Sequence, residues 1–94
     1  MVTGSCAEYS WDTEYPLNEG SPELPKSAYG KAKLELLNWI RNQEVLFLWT
    51  RTFFQFGMNE SEGRLIPDLI DSLNSDDKFI VRSGSDVRDF VFVE

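Results

Sequence analysis

The stretch Val45-Leu46-Phe47-Leu48-Trp49-Thr50 decides the fold class. It is too short and too apolar to be a surface element, and it reads as a strand buried on both faces. Such a strand needs helices above and below it, which predicts a parallel sheet in an α/β protein.

Working outward, the residues upstream turn helical from Ser27 to about Arg41. Ser27 suits an N-cap, and Leu34, Leu37 and Ile40 recur every three residues, with Ala28, Lys31, Glu35, Asn38 and Arg41 on the other faces. Before that helix, Glu8 to Pro25 reads as an acidic loop, broken by Pro16, Pro22, Pro25 and Gly20. Loops of that length are more often functional than idle. Met1 to Ala7 looks like the end of a strand.

Downstream, Arg51 to Gly63 reads as a second loop, rich in phenylalanine at Phe53, Phe54 and Phe56. Leu65-Ile66, Leu69-Ile70 and Leu73 space out another helix, with Pro67 tolerated in its first turn. Lys78 to Arg82 predicts a short strand, Ser83-Gly84-Ser85 a turn, and Asp89 to Val93 a last strand. The chain stops inside the apolar run Phe90-Val91-Phe92-Val93-Glu94, which predicts an incomplete domain.

Ninety-four residues make at most one small domain, here taken as 1–94. A hydrophobic content of 41% suffices for a core, and a net charge of −7 argues against nucleic acid or an anionic membrane as partner. One cysteine, Cys6, permits no internal disulfide, and with no histidine a zinc site is not expected; no metal is assigned. Met1-Val2-Thr3-Gly4 has neither a basic start nor an apolar run behind it, so no signal peptide is expected and a cytoplasmic protein is the default.

Chemistry concentrates in Ser27-Ala28-Tyr29-Gly30-Lys31-Ala32-Lys33-Leu34-Glu35. Tyr-x-x-x-Lys on a helix sets a phenol and an ammonium one turn apart on one face. A free phenol has a pKa of about 10. A positive charge about 4 Å away, at an effective dielectric of roughly 20, favours the phenolate by about 4 kcal/mol, or about three pKa units. That would bring Tyr29 into the range where a general base works best, with Ser5 holding a substrate hydroxyl beside it. The spacing is also short enough to arise by chance, in which case an exposed Tyr29 and a solvated Lys33 do no chemistry.

Five blocks together are more specific. Gly4-Ser5-Cys6-Ala7-Glu8-Tyr9, then a Pro-rich loop, then Tyr29-Gly30-Lys31-Ala32-Lys33-Leu34-Glu35 resemble the extended short-chain dehydrogenase/reductases, the NAD-dependent epimerase/dehydratase family. The likeness continues through Arg51-Thr52-Phe53-Phe54-Gln55-Phe56-Gly57, Gly63-Arg64-Leu65-Ile66-Pro67 and Val87-Arg88-Asp89-Phe90-Val91-Phe92-Val93. The resemblance implies a partial Rossmann-type parallel sheet with flanking helices, the central to C-terminal portion of such an enzyme. It implies NAD or NADP as cofactor and a nucleotide-diphosphate sugar as substrate, and a homodimer for a full-length parent. By the same resemblance Ser5 orients the sugar and Tyr29 transfers the proton, while Lys33 assists Tyr29 and bonds the nicotinamide ribose. Phe53 and Phe54 approach the nicotinamide. Arg88 and, more weakly, Arg64 contact the substrate, although both also read as ordinary solvated arginines.

The departures are as informative. No Gly-x-x-Gly-x-x-Gly turn is present, so the resemblance implies a fragment lacking the dinucleotide-binding half. Phe54 stands where the family commonly has an asparagine, which puts one sugar contact in doubt. Family dehydratases typically carry an acid directly after the catalytic hydroxyl; Cys6 and Ala7 follow Ser5 here, favouring epimerase or reductase chemistry. Cys6 reads as a small structural thiol. The competing reading is an inactive truncated remnant, or a small non-catalytic interaction module.

Overall fold

The computed structural model describes residues 1–12, 16–81 and 83–94. It divides into two compact units, Met1–Phe53 and Phe54–Glu94. In both, the class is α/β with parallel strands, the arrangement of part of a Rossmann-type sheet.

The first unit runs β1 (Val2–Ser5), a 3-10 turn (Cys6–Glu8), α1 (Ala28–Arg41) and β2 (Trp49–Thr52). β1 and β2 pair in parallel, from Val2 opposite Trp49 to Ser5 opposite Thr52. Parallel neighbours need a long crossover, and α1 lies on it. The helix begins where the sequence predicts: the Ser27 hydroxyl accepts from the Gly30 N–H at 3.0 Å, a cap worth about 1 kcal/mol. At its other end the Asn42 and Gln43 side-chain amides donate back to the Asn38 and Trp39 carbonyls, satisfying groups the helix leaves open.

The predicted stripe faces inward. Leu37 is 2% exposed, Ile40 is buried, and Leu34 is half-buried. Burying a leucine-sized side chain contributes about 1.5–3 kcal/mol, which is what seats α1 on β1 and the 3-10 turn. Cys6 and Tyr9 are the other buried apolar side chains among the described residues.

The strand predicted over Val45–Thr50 is displaced. β2 starts at Trp49; Val45 and Leu48 are exposed and Leu46 fully so, at 103%. Hydrogen-bond register, not hydropathy, places this strand: the Val2 N–H donates to the Leu48 carbonyl at 2.8 Å, and the ladder proceeds from there. The parallel arrangement therefore holds on Trp-Thr-Arg-Thr rather than on the apolar run.

The second unit runs β3 (Phe54–Gly57), α2 (Leu65–Ser75) and β4 (Phe90–Val93). β3 and β4 pair in parallel, with Phe54 opposite Phe90 and Phe56 opposite Phe92. The loop predicted across Arg51–Gly63 thus contains the end of β2 and all of β3. Phe54 and Phe56 alternate with Gln55 and Gly57, and period-two packing wins: the Phe54, Phe56, Phe90 and Phe92 rings meet at centroid distances of 5.5–6.4 Å. α2 forms as predicted, with Pro67 in its first turn, and ends at Asp76 in the left-handed region at φ 58°. Lys78–Val81 form no strand, and Arg82 lies outside the described residues. The final strand is present.

Candidate active site

In a parallel sheet the carboxyl ends of the strands are where ligands gather. β1 ends at Ser5, and the chain turns there because Ser5-Cys6-Ala7-Glu8 is a closed capping box. The Ser5 hydroxyl accepts from the Ala7 N–H at 3.2 Å, and Glu8 Oε1 accepts from the Ser5 N–H at 2.7 Å. Ser5 is buried, and its own O–H proton has no acceptor among the described residues. A hydroxyl whose oxygen already accepts is left to donate, which suits a substrate oxygen.

α1 carries the other two predicted residues, and one of them, Lys33, reaches the same strand. The Lys33 ammonium donates to the Thr3 carbonyl at 3.0 Å and stands 5.8 Å from the centre of the Tyr29 ring. Tyr29 is 58% exposed and Lys33 half-buried. The helix can approach this closely because residue 30 is glycine. A Cβ there would collide with the Ala7 carbonyl oxygen and Pro25.

Beneath Ser5 lies a charged cluster that the sequence reading missed, having assigned Glu8 to an acidic loop. Glu8 is 0% exposed. Its Oε2 accepts from Trp49 Nε1 at 3.1 Å and from Arg51 Nε at 2.6 Å. Arg51 also donates to the Tyr9 hydroxyl at 3.0 Å, stacks 4.5 Å from the Tyr9 ring centre, and pairs through Nη2 with Glu23. Arg41 closes the far side with two bonds of 3.0 Å to Glu23. Burial alone would push the Arg51 guanidinium down, but its hydrogen bonds to Glu8, Tyr9 and Glu23 hold it above the ordinary range. The Arg41 hydrogen bonds hold the Glu23 carboxyl below the usual carboxylate range; burial opposes this and Arg51 adds to it. One local signal was legible: Ser-x-x-Glu is the capping-box pattern.

The NAD dependent epimerase/dehydratase family model covers residues 1–94. The chain belongs to that family. No curated protein and no solved structure matches it. Members of the family are NAD(P)-dependent enzymes of nucleotide sugars, and no helix among the described residues is long and apolar enough to cross a membrane.

Within this epimerase/dehydratase chain, the predicted residues divide between the units. Ser5, Tyr29, Lys33 and Phe53 belong to the first, where Phe53 packs edge-on against Trp11 at 6.5 Å just past the end of β2. Phe54, Arg64 and Arg88 belong to the second. There Arg88 lies 4.8 Å over the Phe54 ring and pairs with Asp86 at 2.9 Å. The Ser83 hydroxyl, then Arg88, holds the Asp86 carboxyl below its usual range. Arg64 is an exposed side chain 3.8 Å from Glu60. No metal-binding cluster of His, Cys, Asp and Glu occurs among the described residues.

Proposed function

We propose that these residues serve an NAD(P)-dependent nucleotide-sugar epimerase or a related sugar oxidoreductase, with Tyr29 as the proton-transferring base or acid. The observation that carries the reading is the position of Lys33: bound to the Thr3 carbonyl and beside the Tyr29 ring, on the strand that ends at Ser5. An ammonium fixed there favours the phenolate form of Tyr29, which takes the proton of an alcohol and becomes the neutral phenol. Ser5, donating its O–H, orients the sugar oxygen from which that proton comes. The alternative of a solvated lysine accounts less well for an ammonium fixed on a strand carbonyl.

The fit to the cofactor is one-sided. Tyr29 and Lys33 offer hydrogen-bonding groups to the nicotinamide ribose, and Phe53 an aromatic face near the same strand ends. The 94 residues offer no Gly-x-x-Gly-x-x-Gly turn for the pyrophosphate. When bound, the nicotinamide supplies the hydride acceptor or donor. The two residues after Ser5, Cys6 and Ala7, carry no acid for elimination, which favours epimerisation or reduction over dehydration. Arg88 is assigned to the nucleotide diphosphate because its planar fork matches phosphate, and Arg64 is the weaker candidate for a substrate contact.

The test is turnover of a nucleotide-diphosphate sugar with NAD(P) by a protein in which these residues adjoin a Gly-rich dinucleotide half. Tyr29→Phe is expected to lower kcat by about 10²–10⁴-fold, the usual share of general acid–base catalysis. Unchanged turnover by that variant refutes the assignment. For the 94 residues alone, calorimetric titration with NAD is expected to show no saturable binding. Micromolar binding would show that the missing Gly-rich turn is not needed and that the chain is no inactive remnant.

A further inference from the structure

The carboxylate left without a task by the proton-transfer reading is Glu8. It is 0% exposed, and an ion pair at such a depth is not the most economical way to fill a core, since apolar side chains of similar volume often serve as well or better. What the carboxylate adds is an acceptor aimed at the backbone of Ser5. Oε1 takes the Ser5 N–H at 2.7 Å, while Oε2 is anchored by Arg51 at 2.6 Å and Trp49 at 3.1 Å. Gly4 leaves the space this needs, because a Cβ there would strike Glu8 Oε1 and the Trp49 indole.

Ser5 is therefore held twice. Its backbone, extended at φ −152° and ψ 149°, is tied through its N–H to Glu8, and its hydroxyl oxygen is tied to the Ala7 N–H. Both ties belong to one capping box, so the bond that holds the Ser5 N–H also braces the turn from which the Ala7 N–H reaches the hydroxyl.

We propose that Glu8, anchored by Arg51, is a positioning residue that sets the direction of the Ser5 hydroxyl. The proposal rests on the reading of Ser5 as the hydroxyl that orients substrate. Glu8 touches no reacting atom; it acts through Ser5. Arg51 supports it at one remove, with Tyr9 and Glu23 fixing the guanidinium.

The test is nuclear magnetic resonance of the isotopically labelled 94-residue chain. In the unaltered chain, scalar coupling through the hydrogen bond is expected between the Ser5 amide nitrogen and the Glu8 carboxyl carbon, together with a single Ser5 χ1 rotamer. Glu8→Gln sets its NH2 against a donor in either orientation, the Ser5 N–H or the Trp49 and Arg51 groups, so the carboxylate's two-sided anchor is lost; it is expected to abolish the single rotamer while the α1 amide resonances persist. Arg51→Lys offers a point charge in place of a fork and is expected to produce the same averaging, which covers the case of a Glu8 variant that does not fold. An unaltered chain without the coupling, or folded variants with the Ser5 rotamer intact, would overturn the proposal. Contact between Ser5 β protons and the Tyr29 ring is read in the same spectra. Its absence in the unaltered chain sinks the proton-transfer reading separately, while the rotamer response still decides whether Glu8 positions Ser5.

Discussion

The Lys33 ammonium donates to the Thr3 carbonyl at 3.0 Å, fastening the second turn of α1 to the middle of β1. A lysine tied in this way has less freedom to lose when a ligand arrives, and its charge is held beside the Tyr29 ring. Lys33→Met retains much of the aliphatic stem and deletes the charge. It is expected to lower kcat by about 10²–10³-fold in an enzyme carrying these residues, the scale of losing one preorganised stabilising group. Steady-state kinetics read this; a loss confined to KM would place Lys33 in binding alone.

Glu8 and Arg51 form the buried ion pair of the first unit, with Arg51 11% exposed at its side chain. Removing one partner strands the other. Glu8→Ala and Arg51→Met are each expected to destabilise the unit by about 3–5 kcal/mol. The double variant Glu8→Val/Arg51→Met is expected to recover part of that loss, because neither charge is then buried alone. Denaturant unfolding followed by helix content measures all three; additive losses would show that the pair is not coupled.

Gly30→Ala sets two effects of opposite sign against each other. Inside a helix the change normally stabilises by about 1 kcal/mol. At Gly30 the new methyl meets the Ala7 carbonyl oxygen, a backbone atom that cannot swing aside. The clash is expected to win, with a net loss of about 1–3 kcal/mol. Gly30→Ala melting at or above the parent temperature would mean that α1 stands off the turn.

The Glu23 carboxyl is held below its ordinary value of 4.5 by Arg41 and Arg51. A folded-state value below the unfolded one means that the unfolded chain binds the proton more readily. The stabilisation is then complete above about pH 4.5 and disappears as pH falls through the lowered folded value. Thermal melts across the acid range are expected to show this decline. Glu23→Gln is expected to flatten it, and an unchanged acid slope in that variant would remove Glu23 from the account.

Much of the first unit was legible because its signals are local. Ser27 and the Leu34-Leu37-Ile40 stripe sit within one helix, and their pattern needs no knowledge of what they pack against. Val45–Leu48 misled because hydropathy reports what would gain from burial and not what is covered; register with Val2 moved the strand to Trp49. Tyr29 and Lys33 were found through spacing on one helix, and their adjacency follows from helical geometry. The cluster beneath Ser5 escaped for the converse reason. Glu8, Glu23 and Arg51 are far apart in the chain, and each alone reads as a solvated charge. Only the Ser5…Glu8 half of it had a local signature.

The span between Glu8 and its anchor sets an order of events during synthesis. Arg51 follows Glu8 by 43 positions, so a ribosome must deliver β2 before the carboxylate can enter the interior in paired form. Until then β1 lacks its parallel neighbour and the Glu8 carboxylate its guanidinium. Emergence of Arg51 from the exit tunnel, rather than completion of α1, is then the moment at which the Ser5 turn locks.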